Sequence, residues 1–148
     1  RKERTFLNFN QKISNNVYLF FKVCLNYYHE KVINLYSKFD KFDDYWSPKV
    51  ISEMNNYQFK LVKIKGEFIK HHHSNTDEVF IVIKGSMKIE FDTKIIEVNE
   101  GEMIVVPKGV DHKPTAENEC HVMLVEPKGI LNTGNVKGDL TAPNDEWI

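Results

Sequence analysis

A chain of 148 residues holds one domain of ordinary size, or a small domain with an extension, because domains cluster near ~100–150 residues. Hydrophobic residues at 41%, among them ten Phe, six Tyr and two Trp, suffice for a packed core, and charged residues at 28% exclude a membrane-embedded protein. Lys and Arg total 20 against 21 Asp and Glu, a balance that draws the chain to neither nucleic acid nor an acidic membrane, so function must come from a local site.

The first thirty residues carry Arg1, Lys2, Arg4, Lys12 and Lys22 against Glu3 and Glu30. Residues 31–148 are therefore net acidic, and they contain no arginine. From Ile13 to Leu35 the apolar residues Val17, Phe20, Phe21, Cys24, Tyr28 and Val32 recur at spacings of three and four, which predicts an amphipathic helix. A signal peptide competes for this stretch, but Lys22 interrupts the apolar run and no small-residue cleavage site follows. Cys24 and Cys120 lie too far apart in sequence to suggest a disulfide framework or a zinc knuckle, and with no export signal the expected location is the cytoplasm.

From Tyr57 the texture changes to short β-type runs: Tyr57–Lys65, Glu78–Lys84, Met87–Phe91, Ile95–Val98, Met103–Val106 and His121–Glu126. Six strands at this spacing predict a mainly β fold, a sandwich or barrel. Met87, Ile89 and Phe91 alternate with Lys88 and Glu90, giving one buried face and one wet face. The run Val79–Ile83 is apolar on both sides, so it is interior or covered by a second copy, and a homodimer is expected. The division that follows is an extension over 1–30 and a domain over 31–148, with its core at about 57–126 and a Gly-, Asn- and Asp-rich arm over 127–148.

The chemistry-bearing stretch is Lys70-His71-His72-His73-Ser74-Asn75-Thr76-Asp77-Glu78. On extended backbone His71 and His73 point to one side and His72 to the other, and a tight connection can fold the Glu78 carboxylate back beside the two imidazoles. Downstream, Pro107 and Gly109 force a turn just before His112, a candidate fourth ligand. His121, in the final strand, is a candidate acid or base if it faces the cavity and a packed strand histidine if it does not. Cys120 reads as a small buried apolar residue, and Asp111 and Glu126 as structural or exposed ones.

Set out as His71-x-His73-x4-Glu78-x6-Gly85 and Gly101-x5-Pro107-x-Gly109-x2-His112, with fifteen residues between, the pattern resembles the two motifs of the cupin superfamily. More narrowly, Tyr45-Trp46-Ser47-Pro48, Thr76-Asp77-Glu78 and Glu126-Pro127 resemble small single-domain cupins described as mannose-6-phosphate-isomerase-like. Two positions depart from the pattern: Gly66 lies one residue too close to His71, and Ala116 replaces the closing Asn. The resemblance implies a double-stranded β-helix, a small jelly-roll barrel, with an N-terminal helix added here. It also implies one divalent metal (Mn, Fe, Ni, Cu or Zn) held by His71, His73, Glu78 and His112, and paired barrels. Three imidazoles and a carboxylate suit any of these ions. A metal-dependent enzyme of isomerase, epimerase or dioxygenase type acting on a small polar or sugar-like molecule is expected, and a non-catalytic binding module is the alternative. Arginine forks are the usual bidentate phosphate clamps, so their absence from 31–148 argues against a phosphosugar, which would depend on Lys70, Lys113 or backbone amides.

Overall fold

The computed structural model describes residues 32–148. One short helix, α1 (Leu35–Phe39), precedes seven strands: β1 (Lys49–Met54), β2 (Tyr57–Glu67), β3 (Glu78–Lys84), β4 (Ser86–Phe91), β5 (Ile95–Asn99), β6 (Met103–Val106) and β7 (His112–Pro127). The extension over 1–30, and most of the helix expected over Ile13–Leu35, lie outside the described residues. The end of that expectation is corrected. Val32–Asn34 is not helical, because Asn34 is extended and its side chain accepts from the Ser37 amide, starting a separate helix at Leu35.

All seven strands pair antiparallel, in the order β1-β2-β7-β3-β6, with β4 joined to both β7 and β5. The six strands expected from alternation are present, and the fold is mainly β. Two strand segments escaped the pattern: β1, and the first half of β7. Residues 112–115 of β7 pair with β4, whereas 121–125 pair with β3, so this one strand belongs to both halves of the barrel. Its middle, Glu117-Asn118-Glu119, is exposed and reads as a loop in sequence.

Alternation sets the two faces of the central strands. Val62 and Ile64 of β2, Phe80 and Val82 of β3, and Val122 and Leu124 of β7 point inward and form the main core with Met87, Ile89 and Val106. On the outer face, Leu61 packs with Phe39 and Phe42, and Phe59, Ile83, Met123 and Ile148 lie partly buried against that cluster. Residues 129–148 form no strand but fold onto the barrel: Ile148 N bonds to Val50 O at 3.1 Å, and Val50 N bonds to Glu146 O at 2.6 Å. Among the described residues no helix is long and apolar enough to cross a membrane.

Candidate metal centre

The first three expected ligands sit on the connection from β2 to β3 and on the first residue of β3, and His112 opens β7. Two backbone hydrogen bonds, His71 N to His112 O at 3.0 Å and His112 N to His71 O at 2.9 Å, join the two segments as an isolated antiparallel bridge. The turn after β6 is fastened to the first segment as well. Gly109 N donates to His73 O at 2.8 Å, and Lys108 N donates to an Asp77 carboxylate oxygen at 2.9 Å. Gly109 has φ +75°, a conformation that glycine reaches without strain, which accounts for its place in the motif.

This framework brings His71, His73, Glu78 and His112 together, all buried, with one donor atom from each inside a sphere where no pair is more than 4.8 Å apart. Ligands on opposite sides of an ion at ~2.1 Å would stand about 4.2 Å apart, so the set closes on a first-row ion with shifts of a few tenths of an ångström. Tautomers are fixed by the backbone. The Nδ1 of His71 lies 3.0 Å from the Ile69 carbonyl, and that of His112 lies 3.0 Å from the Val110 carbonyl. A carbonyl only accepts, so both Nδ1 atoms carry the proton and both Nε2 atoms present a lone pair to the site.

The Nε2 atoms of His71 and His73 are buried without a hydrogen-bond partner. His112 Nε2 faces Glu78 Oε2 at 3.1 Å, and His73 Nε2 faces the same oxygen at 3.2 Å. With its Nδ1 given to the Val110 carbonyl, His112 meets this anionic oxygen without repulsion only when a proton or a shared cation lies between them. The donor set therefore fits a divalent metal ion. Protonation tendencies differ among the four ligands. Burial and the neighbouring His112 push His71 down to about 4, leaving it neutral at physiological pH. Burial alone would raise Glu78, but the imidazoles of His112 and His73 hold it down at about 2. Burial lowers His73 and the adjoining Glu78 carboxylate more than compensates, so its net shift is upward.

Other sequence candidates fall outside this cluster. His72 points away, as alternation requires, with Nδ1 2.8 Å from Asp111 Oδ1. His121 is on the outer face of β7, opposite Val122 and Leu124, where Phe39 stacks on its ring at 4.3 Å and Glu119 holds Nε2 at 2.8 Å. It is a packed strand histidine rather than a cavity acid or base. Lys70 pairs with Asp92 and Lys113 with Glu67, so neither is an idle phosphate anchor.

A cavity of about 30 Å³ adjoins the ligands, with His71 and Glu78 in its wall. The remaining wall is apolar apart from Asn132: Trp46 and Phe68, stacked at 4.8 Å, with Phe80, Val122 and Leu124 facing them. Sequence reasoning missed Trp46 and Asn132, which reach the cavity from segments with no strand periodicity. It also missed a buried ion pair, Lys60 to Glu126 at 2.9 Å, both on inward positions. Alternation with Val62 and with Leu124 would have placed both of these charges inside. Burial and the nearby Glu78 carboxylate raise Glu126 to about 7 in spite of Lys60.

With this geometry in view, similarity to known proteins is informative. The cupin domain family model matches residues 60–126. The crystal structure of a cupin-2 domain containing protein from Shewanella frigidimarina NCIMB 400 is 56% identical, with a TM-score of 0.65, covering 66% of this chain and 95% of that one. Protein NMB1881 from Neisseria meningitidis is 36% identical, with a TM-score of 0.61, over 66% of this chain and 100% of its own. The uncharacterized protein YdbB of Bacillus subtilis (strain 168) is 36% identical over 66 residues, and the match spans 57% of its length. The chain thus spans little more than half of that curated relative.

Proposed function

The chain belongs to the cupin-2 domain family, and from that premise we propose that it is a metal-binding small-molecule cupin in which His71, His73, Glu78 and His112 hold one divalent transition metal. The observation that carries this reading is the buried Nε2 of His71, which has no hydrogen-bond partner, in a cluster where the Nε2 atoms of His73 and His112 both stand within 3.2 Å of one Glu78 oxygen. A bound ion would supply Lewis acidity toward a ligand oxygen or lower the pKa of a bound water. The chain's own residues do the rest. The Ile69 and Val110 carbonyls hold the imidazoles of His71 and His112 in register, Glu78 offsets cationic charge, and the Trp46–Phe68 wall keeps water from the ligand side.

The cavity wall bears on the kind of chemistry. Its only titrating side chains are His71 and Glu78, both assigned to the metal. Isomerisation and epimerisation move a proton, and among the described residues the wall offers no side-chain base beyond those two ligands, which leaves that work to a metal-bound water. Oxygenase-type chemistry at the metal, or binding without turnover, is therefore favoured over a mannose-6-phosphate-isomerase-like activity. A homodimer completes the reading, supported by the outer face of β3 and β6, where Met103 and Val105 are exposed beside half-buried Val79 and Ile81.

Metal analysis after supplementation and desalting tests the assignment. Close to one ion per chain is expected for the wild type, and loss of most of that metal is expected in the His71→Ala/His112→Ala double variant. Equal metal content in the two proteins would refute it. A substrate screen then separates the two uses, since turnover marks an enzyme and thermal stabilisation without turnover marks a binding module.

A further inference from the structure

The character of the cavity wall narrows the ligand further. Trp46, Phe68, Phe80, Val122 and Leu124 offer hydrocarbon surface, and the one wall donor on an indole, Trp46 Nε1, is already given to Lys65 O at 3.0 Å. Among the described residues, Asn132 is the other polar wall residue that is not an assigned metal ligand. Its amide gives both N–H donors away, to Trp46 O and to Leu140 O at 2.9 Å each, and its oxygen accepts from Ala142 N at 3.0 Å. A sugar presents a hydroxyl on nearly every carbon, and each one buried here without a partner opposes binding. All the polar chemistry of this chamber is concentrated at one end, where His71 and Glu78 stand.

Size adds a second limit. A cavity of about 30 Å³ holds roughly two to three water-sized groups, so the part of a ligand enclosed beside the metal is small.

We propose that the ligand of this cupin is a compact, hydrocarbon-bodied chelator that carries its oxygen donors together at one end, of the α-hydroxyketone or related class, rather than a sugar or sugar phosphate. This rests on the metal site assigned above. The oxygens meet the ion beside His71 and Glu78, where the Phe68 ring stands 5.4 Å from that of His71, the alkyl end lies against Val122 and Leu124, and no hydroxyl is tolerated at that far end.

A matched pair of probes tests it: 1-hydroxy-2-butanone and dihydroxyacetone. Both have the same number of non-hydrogen atoms and the same α-hydroxyketone chelate, and they differ by a methyl against a hydroxyl at the far end. Cobalt(II)-loaded protein is titrated with each, with binding read by calorimetry and by the shift of the cobalt visible bands. The butanone is expected to bind roughly ten- to a hundredfold more tightly, the factor that corresponds to one buried unpaired hydroxyl. Equal affinity, tighter dihydroxyacetone, or no spectral response to either ketone overturns the proposal while leaving the metal site intact. Failure to take up cobalt, measured beforehand, refutes the metal reading and this inference together. Val122→Thr, close to isosteric, places one hydroxyl in the wall and should narrow the preference severalfold with cobalt content unchanged. An unaltered preference in that variant would put the ligand elsewhere.

Discussion

Glu126 offers a test in which two physical effects give opposite signs. Its carboxylate is 2.9 Å from the Lys60 ammonium, which favours ionisation, while burial and the Glu78 charge disfavour it and raise its pKa to about 7. The perturbation is Glu126→Gln, which mimics the protonated acid. A carboxyl bound to its proton more tightly in the folded state than in the unfolded state, where it titrates near 4.5, stabilises the fold fully below that lower value. The stabilisation is lost as pH rises through the folded value. A separation of roughly two and a half units is about 3 kcal/mol. Urea unfolding of chelator-treated wild type and variant, from pH 4.5 to 8, is the assay, because the difference between the two cancels the other titrating groups. At pH 4.5 the proteins should agree within about 1 kcal/mol, and by pH 7 to 8 the variant should lead by about 3 kcal/mol, or roughly 10 °C in Tm. A wild type that is more stable than E126Q at pH 7, by a margin that widens with pH, would refute the reasoning, since the Lys60 pair would then outweigh the cost of burial.

Three further outcomes follow from the structure. Gly134→Ala forces a Cβ into the carbonyl oxygen of His72 at φ +53° and should cost about 2 kcal/mol or more in urea unfolding; a neutral change would mean that the arm does not press on the ligand segment. Val105→Glu places a charge on the exposed outer face of β6 and should convert a dimer to a monomer by light scattering; a wild-type monomer at micromolar concentration removes that face as a self-contact. Chelation should leave the far-ultraviolet circular dichroism intact while lowering Tm, with a stability loss of about 4 kcal/mol if free metal had stood a thousandfold above Kd; unfolding on chelation would show that the barrel depends on the ion.

The strands were legible where alternation is strict, as in Met87–Phe91, and where both faces are covered, as in Val79–Ile83. Alternation fails when a strand changes neighbours: β7 leaves β4 and joins β3 through a polar, exposed stretch at 117–119, and those residues look like a loop. β1 was equally opaque, since its burial runs from wholly buried Lys49 to exposed Met54 without a period. The four clustered donors were legible because a two-residue step and a Pro-x-Gly turn have direct geometric meanings. Asn132 and Trp46 were not, because they enter the cavity from segments whose position is set by hydrogen bonds to distant backbone, such as Asn132 to Trp46 O. The direction of His121 depended on strand parity, which its own sequence neighbours Cys120 and Val122 could have supplied.

The backbone bridge between His71 and His112 carries a consequence for how an ion would come and go. Two ligands tied to each other through their main chains, with rings fixed by the Ile69 and Val110 carbonyls, stand within a few tenths of an ångström of the spacing an ion needs before one arrives. Exchange of one ion for another then requires no unfolding and little rearrangement. Three imidazoles and a carboxylate accept several first-row ions, so ligand type by itself discriminates only weakly among them. The ion taken up by such a site would then depend on cellular supply as well as on geometry.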